Sequence, residues 1–240
     1  MKHPFRSHLL PWFPLGAGIL GLALRLWLFS AIDEKGLLPT GHIADPLLYL
    51  LTGLTLGILF LSTRELLPKQ FSKEFYRLSG IIACLLGALG LCYSSILEIT
   101  TATVRIPQIV AMIRIIGGVT LLCMALLRYF HKKVPYWANA VITVVLMLHA
   151  VSQCRIWGST PQLQEYFFPL LASVFLILTA YQATAVSAGQ EKVKLLAFFS
   201  QGAAFLCCLS LNTAHWPMYL GMLFWAAAQI IPCIRTKKEA

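Results

Sequence analysis

Acidic side chains are scarce in this chain. Nine Asp and Glu stand against nineteen Lys and Arg in 240 residues, and no acid falls deep inside an apolar stretch. Proton- and sodium-coupled carriers usually keep a carboxylate near the bilayer midplane, so an ion-coupled pump is disfavoured. Charge of either sign is sparse as well. Charged residues make up 12% and hydrophobic residues 58%, with a mean hydropathy of +0.76. A soluble domain carries about 25% charged and about 45–50% apolar residues. A chain this apolar cannot hide its surface in one aqueous core, so lipid must surround most of it.

Motifs of catalysis and cofactor binding are also missing. The chain contains no G-x-x-x-x-G-K-[ST] phosphate loop, no H-E-x-x-H zinc helix, no G-x-S-x-G elbow and no C-x-x-C pair. No lysine lies deep in the seventh apolar stretch, where a retinal Schiff base would need one. Seven cysteines, an odd number, give neither a disulfide framework nor a zinc site. His42, Asp45, Glu98, His149 and His215 are acceptable metal ligands, but their spacing matches no ligand motif. A haem would need facing histidines in the helix cores, and only His149 approaches one. No cofactor, metal or catalytic residue is therefore assigned.

What the chain does have is eight apolar stretches: Leu9–Ile32, Pro46–Ser62, Leu78–Leu97, Pro107–Leu127, Val134–Val151, Tyr166–Val186, Leu195–Leu211 and Trp216–Ile234. A helix crosses a bilayer with about 20 mostly apolar residues. The fold expected is an all-α, polytopic bundle of about eight transmembrane helices. The first stretch is too long for the h-region of a signal peptide and no clear A-x-A site follows, so it is expected to stay as a helix.

Lys and Arg collect in every second gap. With the N-terminus inside, fourteen of the nineteen fall on the inner side, and only Arg25, Lys35, Arg105, Arg114 and Arg155 fall on the outer side or outer helix ends. Four acids lie inside and five outside, so the inner face is net +10 and the outer face net zero. The positive-inside rule then puts both termini in the cytoplasm. The excess charge suits attraction to anionic lipid head groups at the inner face rather than to nucleic acid. Short loops and compact size favour the plasma (inner) membrane of a bacterium.

No connection is long enough for a soluble domain, so residues 1–240 form one transmembrane domain. The inner connection Thr63–Arg77 mixes charge with apolar residues and reads equally well as an amphipathic surface helix or a solvated loop. An internal repeat is a second open question. With an offset of 115, the run from Gly87 to Ser95 faces that from Gly202 to Ser210. With an offset of 124, Pro11-Trp12-Phe13 meets Pro135-Tyr136-Trp137. The two readings are a tandem duplication of a four-helix unit, with repeats 1–133 and 134–240, and chance similarity between apolar strings. Small residues four apart, such as Gly53 and Gly57, allow close helix packing within the bundle or against a partner.

The ionisable residues nearest the interior gather towards the outer side: Arg25, Glu98, Arg114 and His149. Buried charge in lipid is expensive and tends to be paired or to line a wet cavity. In one reading Arg25 and Arg114 bracket Glu98 in an outward-facing cavity, leaving positive charge for a small anionic ligand such as a head group or carboxylate. In the other, both arginines snorkel and make structural ion pairs. Gln201 carries a full amide into the seventh stretch and calls for an interhelical polar contact.

The leading functional expectation is a small permease-like or ligand-binding membrane protein with a polar cavity in its extracytoplasmic half. A non-catalytic accessory subunit held to a membrane-protein partner is the alternative. An intramembrane lipid-modifying enzyme is the second alternative.

Overall fold

The computed structural model describes residues 12–32, 42–64, 73–102, 105–132, 134–157, 166–190 and 193–229, without side-chain detail at 73–77 and 156–157. The Asp33–Asp45 connection up to residue 41, most of the inner amphipathic segment and both termini lie outside the described residues.

The eight apolar stretches form eight helices: α1 (Phe13–Ser30), α2 (Ala44–Arg64), α3 (Lys73–Thr101), α4 (Arg105–Tyr129), α5 (Tyr136–Trp157), α6 (Phe167–Ser187), α7 (Val193–Leu209) and α8 (Trp216–Ala228). No strand occurs among the described residues. In hydrocarbon every backbone N–H and C=O must be satisfied within its own segment, which leaves helices as the solution for such stretches. The first seven are long and apolar enough to cross a membrane. The chain is a multi-pass helical membrane bundle. Trp12, Trp137 and Trp216 sit exposed at helix starts, where indole suits the interface between lipid and water. Pro169 falls in the first turn of α6, which begins at Phe167, so its missing N–H breaks no helical bond.

α7 is the central helix. It packs against α1, α2, α6 and α8, and 72% of its apolar window is buried, against 28% for α1 and for α2. Trp225, Phe205, Leu121 and Met124 are among the largest side chains buried in the core. The halves 1–133 and 134–240 pack differently. α6 lies along α7, whereas α2 packs on α1 and α7 with no comparable face against α3.

Two close approaches set up the site. On α3, a Cβ at Gly90 would stand 2.5 Å from the Pro217 carbonyl oxygen and 2.9 Å from the Gly221 Cα. On α8, a Cβ at Gly221 would stand 2.6 Å from the Leu86 carbonyl oxygen. Only glycine at both positions lets these backbones meet, as small residues do in lipid-embedded bundles. α4 joins α3 at Gly118, where an added Cβ would meet Cys92, and joins α5 at Gly117, where it would meet Val145 at 3.0 Å. The result is a contiguous group of α3, α4, α5 and α8 whose ends meet on one face. That face carries the last turns of α1, α3, α5 and α7 and the first turns of α2, α4, α6 and α8.

Candidate functional site

A polar cluster lies between these four helices near that face. Arg114 comes from α4, nine residues or about 13 Å along the helix from its first residue. Its side chain is fully buried. Nη2 donates to Oε2 of Glu98, which stands one turn before the end of α3 and is 11% exposed. Nη1 lies 3.2 Å from Nδ1 of His149 on α5. The sulfur of Met218, in the first turn of α8, lies 3.9 Å from the same nitrogen. His215, just ahead of α8, brings Nδ1 to 3.9 Å from Glu98 Oε2. Its other nitrogen is 2.9 Å from Nε2 of Gln153, one turn beyond His149. The two imidazoles meet edge to face with centroids 5.3 Å apart.

An arginine has donors only, so Nδ1 of His149 must accept from it, and the ring proton then sits on Nε2. That Nε2 is buried without a hydrogen-bond partner. So are Nε of Arg114, Oγ of Ser152 on α5 and Oγ of Ser94 on α3. His215 is held neutral. Burial first, and then the Arg114 cation, lower its pKa from 6.5 to about 4. Its approach to Glu98 is therefore a close contact of a neutral ring, at a distance too long for a direct hydrogen bond. One guanidinium, one carboxylate and two uncharged imidazoles leave the cluster neutral. Glu98 and His215, the latter 18% exposed, form its accessible edge.

The structure brings three of the four expected site residues together: Glu98, Arg114 and His149. Arg25 is not in the described ion pair, although it and Arg114 both stand near Tyr219. Glu98 pairs with Arg114 and contacts His215, and neither contact is Arg25. Arg25 turns instead to the end of α7, where Nη1 donates to the Leu209 carbonyl at 2.5 Å. Its guanidinium lies 5.4 Å from the Phe29 ring centroid and 5.7 Å from that of Phe168. α7 runs on into a 3-10 turn at Ser210–Asn212, and its end carries the negative pole of the helix dipole, so a buried cation there is stabilised. Gln201 is buried in the middle of α7. His42 accepts from the Ala44 N–H at 3.2 Å and so serves the start of α2. Among the described residues, no three His, Cys, Asp or Glu side chains stand close enough to hold a metal ion.

Sequence reasoning placed His215 in a loop and passed over Gln153 and Met218. The spacing of His149 and Gln153 was a usable signal, since residues four apart share a helix face. His215 had no such signal, because its place depends on the crossing of α3 and α8.

No protein-family model, curated protein or solved structure matches the chain.

Proposed function

We propose that the chain is a small permease-like or ligand-binding membrane protein whose site is the cluster of Glu98, Arg114, His149, Gln153 and His215. One observation carries this reading: an ion pair, two neutral imidazoles and two unpartnered polar atoms, Nε of Arg114 and Nε2 of His149, drawn from α3, α4, α5 and the start of α8, are gathered in one place. Such a group stabilises a bundle less than well-packed apolar side chains of the same volume would. Polar groups of this kind inside membranes mark substrate and ion pathways. The alternation of basic residues supports an orientation with both termini in the cytoplasm and the cluster in the extracytoplasmic half of a bacterial inner membrane.

The test is a screen of small polar solutes against the full chain in nanodiscs, read as thermal unfolding. At least one class of solute should raise the midpoint of the wild type and leave Arg114→Gln unmoved. No shift from any solute, or a shift that Arg114→Gln keeps, would remove the reading.

An accessory-subunit role is the second reading. Gly53 and Gly57 on an exposed face of α2 have no neighbour within 4 Å of an added Cβ. Other helical glycines, such as Gly90, Gly117 and Gly221, take part in close packing. This reading predicts a co-purifying membrane protein that is lost on Gly57→Leu. The tandem organisation is also a proposal. It predicts that fragments 1–133 and 134–240, expressed together, insert and co-purify.

A further inference from the structure

Arg114 already holds a carboxylate, and that carboxylate belongs to the chain. Glu98 reaches Nη2 through one oxygen, Oε2, while the adjacent Nε–H has no acceptor. His149 presents a second buried donor without an acceptor at Nε2, and Ser152, one turn further along α5, has a buried hydroxyl in the same condition. Buried donors are almost always satisfied, and the free Nε–H beside Nη2 on the Arg114 edge calls for an acceptor. The planar edge of a guanidinium, Nε with Nη2, fits the two oxygens of a carboxylate. Glu98 occupies half of that edge.

A second carboxylate beside Arg114 would meet the charge of Glu98, and like charges at a shared site raise the pKa of one partner strongly. The groups facing Glu98 are Arg114 from α4 and His215 ahead of α8, with His149 from α5 behind Arg114. None of them supplies a second positive charge while the imidazoles are neutral.

Building on the ligand-binding reading, we propose that the site takes a carboxylate in exchange for Glu98, and that each bound anion brings one proton, which settles on Glu98. The balance is simple. The Glu98 carboxylate leaves Arg114 and takes a proton from water. The ligand carboxylate takes its place on the Nε and Nη2 edge, and the net charge of the cluster does not change. Anion and proton are then linked ligands of one site. Above the pH at which free Glu98 loses its proton, affinity falls about tenfold per pH unit. The carboxylate can belong to a small soluble acid or to the head of a fatty acid lying in the bilayer.

The experiment uses the full chain in nanodiscs, weakly buffered, with a pH indicator and three probes: sodium propionate, sodium decanoate and inorganic phosphate. In the wild type, one proton should be taken up per carboxylate bound. Glu98→Gln should bind the same probe with no proton uptake and no pH dependence, and Arg114→Gln should lose binding at least tenfold. Binding of propionate assigns the ligand to soluble acids, and binding of decanoate alone assigns it to lipid acids. Wild-type binding without proton uptake overturns the exchange, and this arm needs no variant to fold. Binding of phosphate in place of both carboxylates overturns the ligand class. A neutral solute that binds through Arg114 when no carboxylate does also removes the inference and leaves the ligand-binding reading standing. If no solute binds at all, both fall.

Discussion

Arg25 of α1 donates to the carbonyl of Leu209, the last residue of α7, at 2.5 Å. The arginine is 1% exposed, and it ties α1 to the end of the central helix. Replacing it by methionine keeps the apolar stem and strips the cation from the Leu209 carbonyl. Arg25→Met should lower stability by about 1.5–3 kcal/mol, the usual worth of a hydrogen bond from a charged donor. Solute binding at Arg114 should be unchanged. Unfolding in mixed micelles and the solute screen read the two effects separately.

Glycines on α3 and α2 should respond in opposite directions to the same substitution. Gly90→Ala drives a methyl into backbone atoms of Pro217 and Gly221 that cannot rotate away. Overpacking of this kind costs about 1–3 kcal/mol. It should also part α8 from α3 and weaken binding at the cluster. Gly57→Ala meets nothing within 4 Å and should be neutral, or stabilising by up to about 1 kcal/mol through helix propensity. The comparison is made by unfolding of both variants under one set of conditions.

His215 gives the fold a pH dependence of known sign. Its folded pKa of about 4 lies below the unfolded value of 6.5, so the unfolded chain binds more protons between these limits. Stability from this residue is fully present above pH 6.5 and is lost as pH falls towards 4. The loss should reach on the order of 3 kcal/mol, because every tenfold difference in proton affinity between the folded and unfolded chain is worth about 1.4 kcal/mol. His215→Gln should flatten that part of the curve, and the difference between wild-type and variant stability from pH 7.5 to 4 measures it.

Orientation is tested by cysteine labelling in intact cells. Asn212→Cys lies between α7 and α8 on the face that holds the cluster, and Gln190→Cys lies between α6 and α7 on the opposite face. A membrane-impermeant maleimide should label the first in intact cells and the second only after permeabilisation, each against the unsubstituted chain.

Much of the bundle was legible from hydropathy, and the places where it was not are physically informative. The fifth apolar stretch ends at Val151, whereas α5 runs on to Trp157 through Ser152, Gln153 and Arg155. The third ends at Leu97, whereas α3 runs to Thr101 through Glu98. Hydropathy reports where lipid stops, and a helix outlasts it wherever neighbouring helices shelter its polar turns. That sheltered margin holds Glu98 and Gln153. Glu98 and Arg114 were legible as neighbours because α3 and α4 follow one another in the chain. The swing of Arg25 away to Leu209 was not, because it depends on the packing of α1 against α7. The meeting of His215 with Glu98 and His149 was not legible for the same reason. One sequence shows which faces are polar, and the contacts between distant helices decide which of those faces meet.

The central claim is that Glu98 and Arg114 are kept for binding and not for holding the bundle together. The double variant Arg114→Met with Glu98→Leu tests it without any ligand in hand. Exchanging a buried ion pair for apolar side chains of similar volume is often neutral or stabilising by about 1–4 kcal/mol. The variant should insert, purify as the wild type does and unfold no more easily, while losing every solute response of the wild type. A double variant that unfolds more easily by several kcal/mol, or one that still responds to the same solutes, would contradict the claim.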